Sequence, residues 1–270
     1  MVQGEMCGAR LGHTVNAMVT RRIYAMPPLV EALCEIRFDP GRTWDWTVPG
    51  LLYAQVQEDF PEREQDEQLE IQWRADLPQV QRQTTRRLRF FNRERTALVQ
   101  VSKDALVLNH LRPYPGWERF RSMLVTVIEK YRAVASPKGV SGCALRYINR
   151  IPVPKDEAIL EHYLQAIPTV PKNLPETLIG WSLTLDIPHI AQGGVVRLEA
   201  GSTPLGEDTA FILDLRFTAL NPQDLGLDDP LVAWIDNAHK VIEDTFEASI
   251  TDQARSIFQE ELSHDQLPAR

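Results

Sequence analysis

Cysteine is scarce in this chain: three among 270 residues, an odd number with no Cys-x-x-Cys pair. That excludes a disulfide framework and a structural zinc site, and it suits a reducing cytoplasm. Long apolar runs are also missing, and no segment reaches the roughly 20 apolar residues of a membrane-spanning helix. Near the N-terminus Arg10, His13, Arg21 and Arg22 interrupt any apolar core that a signal peptide would need. Positive charge is in deficit, with 29 basic against 37 acidic residues and a net charge of −8. The chain as a whole therefore does not attract phosphate backbones or anionic membranes, and any nucleic-acid site has to be local. The phosphate-binding GxxxxGK[ST] loop, the dinucleotide GxGxxG turn, the GxSxG nucleophile elbow and the HExxH zinc motif are all absent. The six histidines, His13, His110, His162, His189, His239 and His264, never fall into HxH or HxxxH spacing. No metal ligand set, no cofactor and no catalytic residue is implied.

What is present is ordinary globular material, 43% apolar and 24% charged, enough for a sizeable core. A short phrase occurs twice, as Cys34-Glu35-Ile36-Arg37-Phe38 and as Cys143-Ala144-Leu145-Arg146-Tyr147. Around each copy the same order of patterns unfolds. Leu29 to Phe38 alternates as a strand, with Val30, Ala32, Cys34, Ile36 and Phe38 on one face and Glu31, Glu35 and Arg37 on the other. Residues 49 to 60 carry a helical pattern through Leu51, Leu52, Val56 and Phe60, ended by Pro61 and the charged run Glu62 to Glu67. Short strands follow at Leu69 to Trp73, Arg86 to Asn92, Thr96 to Ser102 and Leu106 to Leu111. Their close spacing predicts antiparallel hairpins. Gly116 then opens a helix in which Trp117, Phe120, Leu124, Val127, Ile128 and Tyr131 recur at three- and four-residue steps.

The second copy leads from a strand at Cys143 to Val153 into a short helix around Glu157 to Ala166 and a loop punctuated by Pro168, Pro171 and Pro175. Strands at Ile179 to Ile187, Val195 to Gly201 and Ala210 to Ala219 come next, with Gly193-Gly194 as a hairpin turn. A long helix from about Pro230 to Ile250 buries Leu231, Trp234, Ile235, Ala238, Ile242 and Phe246, and Thr251 and Asp252 cap a final one. The expected fold is α+β with two similar halves, each running strand, helix, three or four antiparallel strands, long helix. The halves span residues 26–138 and 139–262, after a mobile extension at 1–25 and before a frayed tail at 263–270. Met18 or Met26 stands as an alternative start. This order resembles the duplicated TATA-binding-protein-like architecture, in which a curved sheet holds helices on one face.

A second resemblance rests on Pro27-Pro28-Leu29-Val30-Glu31-Ala32 with Glu35-Ile36-Arg37-Phe38, on Arg146-Tyr147-Ile148-Asn149-Arg150-Ile151, and on Ala238-His239 with Phe246 and Ile250-Thr251-Asp252. These segments resemble the signatures of an uncharacterised, sporadically distributed prokaryotic family of about this length. The resemblance implies an accessory protein, in a defence or mobile-element context, and carries no catalytic residues with it.

Two groups of side chains are candidate binding sites. Arg82, Arg86, Arg87, Arg89, Arg93 and Arg95 straddle one strand and its turn. Alternation sets Arg87 and Arg89 side by side on the solvent face, an arrangement that grips phosphate oxygens. Set against this, the acidic run Glu58 to Glu70 supplies a neutralising neighbour. The second group is Glu31, Glu35, Arg37, Arg146, Asn149 and Arg150 on the paired first strands, where burial demands carboxylate–guanidinium pairs. Asp186, Glu199 and Asp214 suggest a weaker acid cluster, and Cys34, Cys143 and His239 read as packing residues. Trp44, Trp46 and Tyr114 to Trp117 lie at element ends, where interface anchors would serve. The leading expectation is a non-enzymatic protein that binds a partner protein or its own copy. The alternative is a nucleic-acid factor working through the Arg82 to Arg95 strand, and a third is an enzyme with an Arg/Glu site.

Overall fold

In the computed structural model the described residues are 22–41, 44–72, 81–153, 159–175, 178–203 and 209–261. The N-terminal extension as far as residue 21 and the C-terminal tail therefore lie outside the described residues, as does Trp73. The protein is α+β, with helices packed on a large antiparallel sheet.

Strand β1 (Ile23–Tyr24) precedes β2 (Leu29–Asp39), helix α1 (Thr47–Val56), and strands β3 (Glu62–Gln72), β4 (Gln81–Phe91), β5 (Ala97–Val101) and β6 (Ala105–Leu111). Helix α2 (Trp117–Ala135) leads to β7 (Gly139–Pro152), β8 (Ser182–His189), β9 (Gly194–Ser202) and β10 (Ala210–Ala219). Helices α3 (Asp229–Ser249) and α4 (Asp252–Ile257) precede β11 (Glu260–Glu261). Nine strands form one sheet in the order β3-β4-β5-β6-β2-β7-β10-β9-β8, so the two strands bearing the repeated phrase meet at its middle. Cys34 pairs with Leu145 and Cys143 with Ile36, so exchanging the two phrases leaves the register unchanged.

One face of this sheet carries the core. Ala32, Cys34, Ile36, Leu106, Leu108, Val99, Leu145, Leu213, Leu215 and Phe217 are buried there beneath the helices. Tyr53 of α1 meets Phe90, Tyr131 of α2 stacks on Phe38, and Trp234 of α3 stacks on Phe217 at 5.3 Å. The predicted stripe of α2 is buried, and so is that of α3 except Phe246, which is partly buried against the core, because three- and four-residue spacing places those side chains on one side of a helix. Thr251 caps α4, its hydroxyl accepting from the Ala254 N–H at 3.2 Å.

Several expectations are corrected. A bulge between Leu29 and Glu31 shifts the register, so Leu29 faces the core and Val30 is only half-buried. The charged run Glu62 to Glu67 is strand rather than a helix-ending turn, because the arginine-rich β4 pairs along its whole length. Structure also begins before Met26: Ile23 and Tyr24 pair with Glu261 and Glu260, tying the start of the fold to its end. Of the short helix around Glu157 to Ala166, residues 157–158 lie outside the described residues, and Leu160–His162 form a single 3-10 turn. The turn at Gly193 is preceded by another 3-10 turn, Ile190–Gln192.

Candidate functional site

Among the described residues no helix packs on the sheet's second face in these contacts. Strand alternation and register line up one row across it: Glu62, Phe91, Leu98, Asn109, Leu33, Arg146, Arg216, Arg197 and Asp186. Three arginines thus stand abreast on β7, β10 and β9. Like charges directly opposite one another destabilise a sheet, so this row needs counter-charges. The next row supplies them, since Asp214 sits beside Glu199 and Ile148. Arg146 donates to both oxygens of Asp214, its Nε at 2.8 Å from Oδ1, and Arg197 clasps Asp186 at 2.8 and 2.9 Å. Asp214 is buried, and the bond to it raises the already high pKa of Arg146. The Arg197 guanidinium holds the exposed Asp186 carboxyl below its usual range. Arg216 is different, with its nearest carboxylate oxygen on Glu35 at 3.9 Å. The three arginines, Asp186, Glu199 and Asp214, with Val195 and Thr218, line a hollow of about 470 Å³.

The central charged group predicted from sequence is largely assembled here, with different partners. Glu35 takes Arg37 at 2.8 Å, and Arg37 also reaches Asp104. Glu31 accepts from the Asn109 amide at 2.6 Å. Arg146 pairs not with a carboxylate of β2 but with Asp214. Asn149 leaves the group: it is buried on the helix face and donates to the Leu213 carbonyl. Arg150 is half-buried in β7, opposite Ile212. The acid cluster of Asp186, Glu199 and Asp214 does converge on the hollow, but arginines neutralise two of its members.

The arginine strand meets the acidic strand that the sequence offered as its neighbour. Arg89 pairs with Asp66 at 2.6 Å, Arg95 with Glu62 and Glu64 at 2.7 Å each, and Arg87 stands opposite Asp66 in register. Arg95 also lies 4.0 Å over the Phe91 ring. Arg86 lies opposite Glu67, and Arg93 is exposed in the turn. The backbone of Arg82 belongs to β4, and its side chain lies outside the described ones.

A second polar constellation, which sequence reasoning did not find, occupies the helix side. His239 on α3 stacks on Trp117 at the start of α2, with ring centroids 3.9 Å apart. Its Nδ1 lies 2.9 Å from the Tyr147 hydroxyl, which lies 3.3 Å from that of Tyr114. Burial pushes the Tyr147 phenol well up, and Tyr114 adds to the shift. Trp117 is thus a core residue and no exposed anchor, Trp44 packs against the core, and Trp46 stays half-exposed. Cys34 and Cys143 are buried free thiols, and burial together with the neighbouring Cys34 pushes Cys143 up, the opposite of what a nucleophile needs.

Among the described residues no group of three or more His, Cys, Asp or Glu side chains is placed to hold a metal ion. No helix among them is long and apolar enough to cross a membrane. No family model matches the chain, and no curated protein matches it either.

Proposed function

We propose that the protein acts by binding, and that the open face of its sheet is the surface that receives a partner protein. The observation that carries this reading is the row of three arginines, in which Arg146 and Arg197 are neutralised by paired aspartates and Arg216 has only a distant carboxylate. Cations set abreast cost stability, and a carboxylate brought by a partner would relieve that cost at Arg216. Half-buried Leu33, Ile148 and Ile212 on the same face supply apolar contact around the charges. We read the mirrored strand order and symmetric register as an internal duplication of the TATA-binding-protein-like kind. Together with the resemblance of the opening phrase, this suits a cytoplasmic accessory protein of a prokaryotic cell. The nucleic-acid reading ranks second, since Arg89 and Arg95 are already engaged by Asp66, Glu62 and Glu64.

Affinity capture of the tagged protein from its native host, with and without nuclease, tests the choice. A stoichiometric protein that survives nuclease and is lost with Arg216→Glu supports the proposal. Nucleic acid that is lost with Arg87→Glu plus Arg89→Glu overturns it.

A further inference from the structure

On the helix side, the start of α2, the later turns of α3 and the Pro27-Pro28-Leu29 segment enclose a hollow of about 910 Å³. That volume is within the range of cavities that hold small organic ligands, up to roughly 1,000 Å³. Its walls present Tyr114, Trp117, Tyr147 and Phe246 to whatever enters.

The constellation at its base fixes a proton. Tyr147 stays a neutral phenol, because burial disfavours its anion. The Glu243 carboxylate 3.2 Å from Nε2 favours the tautomer that carries its proton there, and in that tautomer Nδ1 accepts from the Tyr147 phenol. His239 is only 4% exposed. Its Nε2 lies 3.2 Å from a Glu243 oxygen yet makes no aligned hydrogen bond. A buried donor without an aligned acceptor is costly, and it is the kind of group that a ligand oxygen completes.

Charge defines the rest of the ligand. Five lining carboxylates, those of Glu118, Asp236, Glu243, Asp244 and Glu247, face three lining cations. Arg121 is committed to Asp236 in a two-point contact, and Arg22 shares Glu247 with Arg255. With Lys240 as the third cation the lining still carries more carboxylates than cations, and partial burial with the adjacent Glu243 pushes the Asp244 carboxyl upward against nearby His189. A negative field over aromatic walls favours an organic cation.

We infer that this cleft, formed by Trp117, His239, Glu243 and Asp244, binds a small amphipathic amine. The ligand's protonated nitrogen faces the two carboxylates, and an oxygen a few atoms away accepts from Nε2 of His239. The inference is independent of the open sheet face.

Calorimetry on the full chain with three probes of one size tests it: 2-amino-1-phenylethanol, phenethylamine and mandelate. Both amines bind at millimolar concentration or tighter, the amino alcohol ahead of phenethylamine, and mandelate binds at least about tenfold more weakly. Asp244→Asn weakens both amines about five- to tenfold. His239→Phe keeps the stack on Trp117 and erases the preference for the amino alcohol, with circular dichroism verifying that each variant is folded. Mandelate binding as tightly as the amines, or no heat from either amine at millimolar concentration, overturns the inference.

Discussion

Arg146 and Arg216 are neighbours of one residue type on one face, and their surroundings give them opposite roles. Asp214 is buried and takes three side-chain hydrogen bonds from Arg146, which reach both of its oxygens. Arg146→Ala strands that carboxylate, and because the arginine is itself partly exposed the expected cost is about 2–3 kcal/mol, below that of a fully buried pair. Removing Asp214 as well returns much of it, which a urea-unfolding double-mutant cycle measures. Arg216→Thr removes a cation set between two others. It leaves stability within about 0.5 kcal/mol of wild type, or raises it. His110 gives a pH signature. Burial lowers its pKa below 6.5, and nearby Arg119 adds to the shift. The neutral ring is therefore favoured in the folded state, and the stability this confers is complete above pH 6.5 and is lost as pH falls through the lower folded value. Between about pH 7.5 and about pH 5.5 the urea midpoint of the wild type drops, and that of His110→Gln drops less. The relay from Tyr147 to His239 was illegible in the sequence because its partners lie 92 residues apart. The one local hint was the spacing of His239 and Glu243, four residues apart on one helix face.

At the scale of elements, periodicity revealed what had strong periodicity. Helices α2 and α3 and strands β2, β7 and β10 lie where alternation or three- and four-residue recurrence placed them, since burying one face is what creates those patterns. The end of β3 lies where a strand was expected at Leu69, but its acidic first part was hidden because acidic residues have poor strand propensity and their cross-strand partners are arginines, which leaves no apolar alternation to detect. The pairing of β1 with β11 was hidden because two residues cannot show a period. Gly194 marks a tight junction: a side chain there would run into the ring of Phe217, itself stacked on Trp234. Gly194→Ala therefore costs about 1–3 kcal/mol by overpacking where β9 begins, readable as a lower urea midpoint with circular dichroism little changed.

For the whole molecule, one asymmetry dominates. Among the described residues the helices and the main apolar core occupy one face of the nine-stranded sheet, and the other face carries charged side chains, half-buried Leu33, Ile148 and Ile212, and a buried group at Phe91, Leu98, Val107 and Asn109. The repeated phrase lies on two strands that pair with each other, but the sheet order that brings them together depends on pairings between distant segments. The central claim is that the open face receives the partner. Hydroxyl-radical footprinting of the protein, alone and with its captured partner, reads this directly at individual side chains. The account predicts protection of Leu33, Ile148 and Ile212 on the open face, with Trp46 and Leu51 on the helix side unchanged. Protection of Trp46 and Leu51, with Leu33, Ile148 and Ile212 as reactive as in the free protein, would contradict it.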